Sequence, residues 1–226
     1  MSLEIINNPL FATIQDMGRY GYSHIGVTNS GVMDEYAYLF AQKLLKNPLN
    51  TNILEIAFSN VVFKANANTQ IAITGAICEV FINDIKKECW QTHNLRAGDI
   101  LKIGKILEGN RVYLAVFGGF KIKKEFGSNS TTIKENLGGI DGNKLKKGDV
   151  LPFRSCKFTH NIRLKEKFIP KIEEELTLRV LLSYQDEYFP KDEKEKFFKN
   201  QFLVTNDFNR MACKLSGEAI KCDING

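Results

Sequence analysis

The sequence predicts a mainly β chain with a few helices, folded as a closed or nearly closed antiparallel barrel. Three observations predict it: a succession of short apolar segments with period two, tight turn signals between them, and one clear amphipathic helix near the start. Closure is expected because many antiparallel strands left open would expose a row of unpaired backbone groups at each edge.

The elements follow in order. Leu3 to Ile6 and Ala12 to Ile14 are brief apolar pieces around the turn signal Asn7-Asn8-Pro9. Tyr36, Ala37, Phe40, Ala41, Leu44 and Leu45 then recur at three- and four-residue spacing, which places one apolar helical stripe on a core. Asp34 and Glu35 suit the positive end of that helix, and Pro48 marks its stop. From there the period changes to two. Ile53 to Phe58, Val61 to Ala65, Gln70 to Thr74 and Cys78 to Ile82 read as strands, with Asn83-Asp84 as a hairpin tip. Ile100 to Ile103 and Val112 to Phe117 follow, the second ending in Gly118-Gly119. Ala97-Gly98-Asp99-Ile100-Leu101 and Lys147-Gly148-Asp149-Val150-Leu151 share one pattern, a repeated turn solution in which Gly frees the backbone and Asp caps the turn.

Past this point the character shifts. Charged residues crowd a stretch with little periodicity, so the chain is divided into residues 1–155, a charged linker at 156–176, and a partial second β-rich unit at 177–226. In the last, Leu178 to Leu182 and Phe202 to Thr205 read as strands. A charged helix runs between them from Lys191 to Lys199, with Pro190 at its first turn. The sequence stops at Asp223-Ile224-Asn225-Gly226, in what reads as mid-domain.

Composition narrows the function classes. At 226 residues with 43% hydrophobic content, a real core is within reach. The net charge of +5 is a mild excess spread over loop lysines, which argues against a nucleic-acid face. The five cysteines, Cys78, Cys89, Cys156, Cys213 and Cys222, show no metal-knuckle or redox spacing and read as reduced thiols. No signal peptide and no membrane-spanning run is found, so the cytoplasm is the expected compartment. His24, His93 and His160 lie far apart, and no metal is expected. A phosphate-binding Walker loop, a serine-hydrolase elbow and a biotin-bearing Met-Lys-Met are all missing.

One stretch stands out. Residues 13–34 hold Gly18, Gly21, Gly26 and Gly31 among polar groups immediately before the helix. Loops this long without their own structure are commonly functional. Arg19 could clamp a carboxylate, Asp16 could orient that arginine or accept a proton, and Ser30 with nearby N–H groups could bind an anion at the helix start. The alternative is a structural loop in which Asp16 and Arg19 pair only with each other. Both readings stay open on the residues alone.

The run Gln15-Asp16-x-Gly18-Arg19-x-Gly21, then Gly26-Val27-x-x-Ser30-Gly31-x-Met33-Asp34, closely resembles the opening of the allophanate hydrolase subunit 2 family. That family is also called the biotin-dependent carboxyltransferase family, or the family of the 5-oxoprolinase C subunit. The resemblance continues through Leu54-Glu55, Thr74-Gly75-Ala76, Trp90, Ala97-Gly98-Asp99, Tyr113 to Gly119, Gly127-Ser128-x-Ser130-Thr131, Leu137-Gly138-Gly139 and Gly148-Asp149-x-Leu151-Pro152. It is looser around Arg210-Met211, where the family usually shows a following Gly and Tyr, and family members run on beyond Gly226.

The resemblance implies a cyclophilin-like β-barrel and an amide-processing subunit that acts beside a subunit 1 family partner and a third 5-oxoprolinase subunit. The implied reaction is ATP-dependent opening of 5-oxo-L-proline to glutamate, with ATP used by the assembly and no biotin attached to this chain. Carried onto these residues, Asp16, Arg19 and Asp34 are the catalytic candidates. Gln15, Ser30, Gly31, Gly118, Gly119 and Arg210 are the substrate-binding ones, for a small-molecule amide. Carboxyl transfer from a biotinylated partner, or allophanate hydrolysis, is the alternative. A non-catalytic regulatory binding role is the third.

Overall fold

A computed structural model of the chain describes residues 1–58, 60–159, 161–173, 175–208, 210 and 212–223. His160, one of the three histidines considered above, lies outside the described residues, as does Met211 beside Arg210. The chain divides into two compact units, Met1–Ile172 and Glu173–Gly226.

The first unit is one curled antiparallel sheet, a half-barrel with a helix on its outer face. Its strands are β1 (Ser2–Ile5), β2 (Phe11–Gln15), β3 (Ile53–Ala57), β4 (Val61–Ala65), β5 (Thr69–Ile82), β6 (Ile85–Lys87), β7 (Gln91–Leu95), β8 (Ile100–Val116) and β9 (Val150–Pro152), and its helix is α1 (Glu35–Leu45). The long strands β5 and β8 form the spine. One edge of β8 carries β5. The other edge is shared, with β4 on the half near Ile103 and β3 on the half near Leu114. The sheet therefore forks, through β3 to β2 and through β4 to β1 and β9.

Burial on both faces explains the apolar runs. Leu54 and Ile56, Ile71 and Ile73, and Leu114 and Val116 point into the inner core. Their alternates Ile53, Ala72, Tyr113 and Ala115 meet Ala37, Tyr38, Ala41, Leu44 and Leu45 of α1, together with Trp90. Side chains alternate along each strand, so a strand covered on both sides must be apolar throughout. Each aliphatic side chain so buried contributes about 1.5–3 kcal/mol.

The structure corrects three boundaries. Gln70–Thr74 and Cys78–Ile82, expected as two strands, are one strand, because the register against β8 shifts after Gly75 and pairing resumes at Ile77. Ile100–Ile103 and Val112–Phe117 likewise join into β8, the polar stretch between them staying paired to β5 at Ile106 and Glu108. Leu178–Leu182, expected as a strand, is irregular and exposed, and no strand among the described residues pairs with it. Period and β propensity do not make a strand without a partner ladder.

The repeated turns coincide in detail. Arg96 N donates to Asp99 Oδ2 at 2.7 Å and Lys146 N donates to Asp149 Oδ2 at 2.8 Å. Gly98 N donates to Ala65 O on β4 and Gly148 N to Ile5 O on β1, and in return Ala65 N and Ile5 N donate to the Asp99 and Asp149 carbonyls. Gly98 and Gly148 sit at φ +95° and +91° with open space where a Cβ would stand, so backbone freedom alone asks for glycine.

Beyond β9, Arg163 bridges to Gln91, Leu164 N donates to Trp90 O, and the Tyr36 hydroxyl donates to Phe168 O at 2.6 Å. The second unit contains α2 (Lys191–Lys199), which follows Pro190, and a two-stranded sheet of β10 (Leu203–Phe208) and β11 (Cys213–Ser216). No helix among the described residues is long and apolar enough to cross a membrane.

Candidate functional site

The loop between β2 and α1 is fixed at both ends by buried polar groups. Its first anchor is Asp16, fully buried at the end of β2. The Asp16 carboxylate accepts from Ser128 Oγ (2.6 Å), Ser130 Oγ (2.7 Å), Gly18 N (2.8 Å) and Asn129 N (2.7 Å). Burying a carboxylate is costly unless its lone pairs are filled, and here donors surround it. Arg19, 1% exposed, lies against the same segment. Its guanidinium donates to Thr132 Oγ1, to the Ser130 carbonyl and, at 3.5 Å, to the Glu125 carbonyl. Burial lowers its proton affinity, and the nearby charges of Asp16, Glu125 and Glu135 push it back up. Asp16 and Arg19 thus both grip the segment 125–132, with no ion pair between them among the described residues.

Gln15 and Ser30 cross-link the same two segments. Gln15 Nε2 donates to the Thr131 carbonyl at 3.2 Å, and Ser30 Oγ donates to that carbonyl at 2.9 Å. Gly31 faces Gly18 across the loop: a Cβ on Gly31 would stand 3.0 Å from the Met17 carbonyl, and one on Gly18 2.8 Å from the Asn29 carbonyl. That close approach lets Arg19 N donate to Asn29 O and Val32 N to Asp16 O.

The second anchor is at the start of α1. Asp34 is its N-cap, Oδ1 accepting from Ala37 N at 2.9 Å. Asp34 N donates to the Tyr113 hydroxyl (2.8 Å), which in turn donates to Glu55 Oε2 (2.9 Å). Met33 N donates to the same Glu55 oxygen at 2.9 Å, and Arg111 Nε lies 3.9 Å from the other. Burial, and then the Glu55 charge, push the Tyr113 hydroxyl well above the usual tyrosine range, so it stays protonated and relays the bond. Tyr113→Phe removes this relay, leaving Asp34 N without its acceptor and Glu55 with one donor fewer. A loss of about 1–3 kcal/mol in urea unfolding is expected, with fraying of the first turn of α1 by hydrogen exchange.

Gly118 and Gly119 sit apart from both anchors. Gly118 N donates to Asn47 Oδ1 at 2.8 Å and Gly119 N to the Val116 carbonyl, at the end of β8. Gly119 packs beside Asn52, whose Nδ2 donates to Asn129 Oδ1 at 3.0 Å and to the Phe120 carbonyl. Arg210 belongs to the second unit. The structure therefore joins Gln15, Asp16, Arg19, Ser30 and Gly31 in one network and places Asp34 in an adjoining one.

Several members of the site were missed in the sequence. Glu55 is a lone carboxylate within a strand buried on both faces, and that conflict of charge with pattern was the available signal. Ser128 and Ser130 lie in a recognisable motif, but their roles depend on a contact more than a hundred residues away. Among the described residues, the buried oxygens Thr131 Oγ1 and Glu135 Oε2 have no hydrogen-bond partner. Glu135 Oε1 accepts from Thr28 of the loop at 2.6 Å.

Comparison with known proteins places this arrangement. The carboxyltransferase domain family, subdomains A and B, matches residues 25–224, and the chain belongs to that family. It is 29% identical over 221 residues to the 5-oxoprolinase C subunit of Escherichia coli, covering 97% of this chain and 70% of that protein. It is 31% identical to the urea amidolyase of Saccharomyces cerevisiae over 96% of this chain but 12% of that one. The crystal structure of Kluyveromyces lactis urea carboxylase superposes with a TM-score of 0.86 at 27% identity, over 99% of this chain and 21% of that one.

Proposed function

We propose that this chain is a subunit of an ATP-dependent 5-oxoprolinase. It would act with a subunit 1 family partner and a third subunit to open the lactam of 5-oxo-L-proline to glutamate. The observation that carries this reading is extent. The match spans 70% of a 5-oxoprolinase C subunit and only 12% of a urea amidolyase. A lactam is resonance-stabilised and resists water, so coupling to ATP, through phosphorylation of the amide oxygen, is the chemistry required of the assembly. No residue of this chain is assigned to ATP.

Within the site the roles divide by what each group has left to offer. Asp16 and Arg19 commit their polar atoms to the protein and act as positioning residues that hold the loop against residues 125–132. Asp34 is half-buried and uses Oδ1 for the helix cap. Its Oδ2 has no hydrogen-bond partner among the described residues, which suits a general base or an orienter of substrate. Ser30 lies on the same loop, followed by Gly31, as a candidate contact to substrate, and Gln15 supports Ser30 through an acceptor 3.3 Å from its hydroxyl.

Reconstitution tests the assignment. Glutamate release from 5-oxoproline and ATP should require this chain in the mixture; turnover unchanged by its omission would sink the reading. Asp34→Asn keeps an N-cap oxygen while removing the charge. It is expected to lower kcat about tenfold or more with unfolding unchanged. Equal kcat would remove Asp34 from the chemistry.

Carboxyl transfer is the second reading, favoured by the description of the matching family. It calls for a biotinylated partner. Consumption of carboxybiotin that depends on this chain, in the absence of 5-oxoproline turnover, would establish it instead.

A further inference from the structure

Two thiols in the first unit lie against each other, Cys78 on β5 and Cys89 in the bend between β6 and β7. The register of β5 with β6 sets Val80 opposite Lys87, Phe81 opposite Lys86 and Ile82 opposite Ile85, and the chain then turns back past Cys78. Their sulfurs are 3.7 Å apart, and Cys89 Sγ also lies 3.6 Å from the Cys78 carbonyl oxygen, to which it donates. Both are free thiols.

The sulfurs need to approach by roughly 1.7 Å to bond. Both residues lie at irregularities of the sheet. β5 changes register against β8 on either side of Cys78. Cys89 leads into Trp90, which holds φ +60° where β6 gives way to β7. Access differs between the two: Cys78 is 5% exposed, whereas Cys89 is half-buried.

We propose that Cys78 and Cys89 form a redox-active dithiol that closes to a disulfide between β5 and the β6–β7 bend by exchange with a low-molecular-weight disulfide. The more accessible Cys89, as thiolate, attacks one sulfur of that disulfide, whose S–S bond breaks and releases one small thiol. Cys78 then loses its proton and attacks Cys89 Sγ in the mixed disulfide, releasing the second small thiol. Two protein thiols are oxidised and one small disulfide is reduced to two thiols. The neighbouring thiol and then burial hold Cys78 protonated, so the more accessible Cys89 is the first to attack.

Closure would be felt at α1. Trp90 follows Cys89 directly, its Nε1 donates to the Gly75 carbonyl at 3.1 Å, and its ring packs beside Tyr36 and Phe40 of the helix, with centroids 6.3 and 6.5 Å away. It is the only tryptophan in the chain, so its emission reports on the pair.

The test equilibrates the full chain with glutathione and glutathione disulfide at graded ratios, traps thiols by alkylation and maps the peptides. Cys78 and Cys89 are expected to lose alkylation together as one cross-linked peptide, with Trp90 emission changing along the same curve. Cys156, Cys213 and Cys222 should respond separately or not at all. Cys78→Ala should leave glutathione attached at Cys89, and Cys89→Ser should abolish the emission change. Both thiols staying alkylatable at every ratio, or a mixed disulfide at Cys89 in the native chain without cross-linking, would overturn the proposal. If either variant fails to fold, the peptide map of the native chain decides alone.

Discussion

Arg19→Ala is expected to lower the stability of the first unit by about 3–5 kcal/mol, read as a shift of the urea midpoint at constant slope. The guanidinium is nearly inaccessible, and its truncation leaves the Ser130 carbonyl, Thr132 Oγ1 and the Glu125 carbonyl without their donor. It also removes the positive charge that Asp16, Glu125 and Glu135 each attract. In the reconstituted assembly the same change should cost about tenfold or more in rate, because the loop carrying Ser30 and leading to Asp34 loses one of its ties. Arg19→Lys keeps the charge without the planar fork, so it should restore part of the stability but not all three bonds. Wild-type stability in Arg19→Ala would show that the network contributes nothing to folding.

Asp16→Asn should be nearly as damaging, although it changes hardly any volume. One carboxylate oxygen accepts from Gly18 N and the other from Asn129 N, both backbone donors that cannot turn away. Whichever way the new amide is placed, its NH2 group meets one of these N–H groups head-on. The Ser128 and Ser130 hydroxyls could rotate to accommodate it, but the backbone cannot. A loss of about 2–4 kcal/mol is expected by urea unfolding, reflecting an unsatisfied buried donor and the loss of charge-assisted bonds. Asp16→Ala provides the comparison. It leaves several donors unmatched but introduces no opposing one, so stability equal to or above that of Asp16→Asn would show that the donor clash costs more than the missing bonds.

How much of this was legible in the sequence follows from where each interaction runs. The helix was legible because its signal is local: Ala37, Ala41, Leu44 and Leu45 lie on the sheet, as their spacing requires, and Asp34 caps the start. Even there, Tyr36 is 42% exposed while Tyr38 is fully buried, since the aromatic belongs to the side of the stripe turned toward Trp90. The tips of hairpins and the two Gly-Asp turns were equally clear, being closed by residues within three positions of each other. The long strands were not. Gly75 reads as a break in isolation and becomes an irregularity within one strand only because β8 holds it from the side. The site shows the same limit more sharply. Asp16 and Arg19 announce themselves as charges in a glycine-rich loop, but whether they face a ligand or the protein depends on Ser128, Ser130 and Thr132, far along the chain.

The paired turns at 96–99 and 146–149 have a consequence for how freely this sequence can drift. Each is a cassette of four residues in which one position needs a backbone without a side chain and one needs a short carboxylate. The first two positions of each make their hydrogen bonds through main-chain atoms, Ala97 N and Lys147 N donating to the side-chain oxygens of Asn68 and Asn8. The identities of Arg96 and Ala97, or of Lys146 and Lys147, are therefore nearly irrelevant to the geometry. A library that randomises those positions should return folded members at high frequency, and exchanging the two cassettes should be silent.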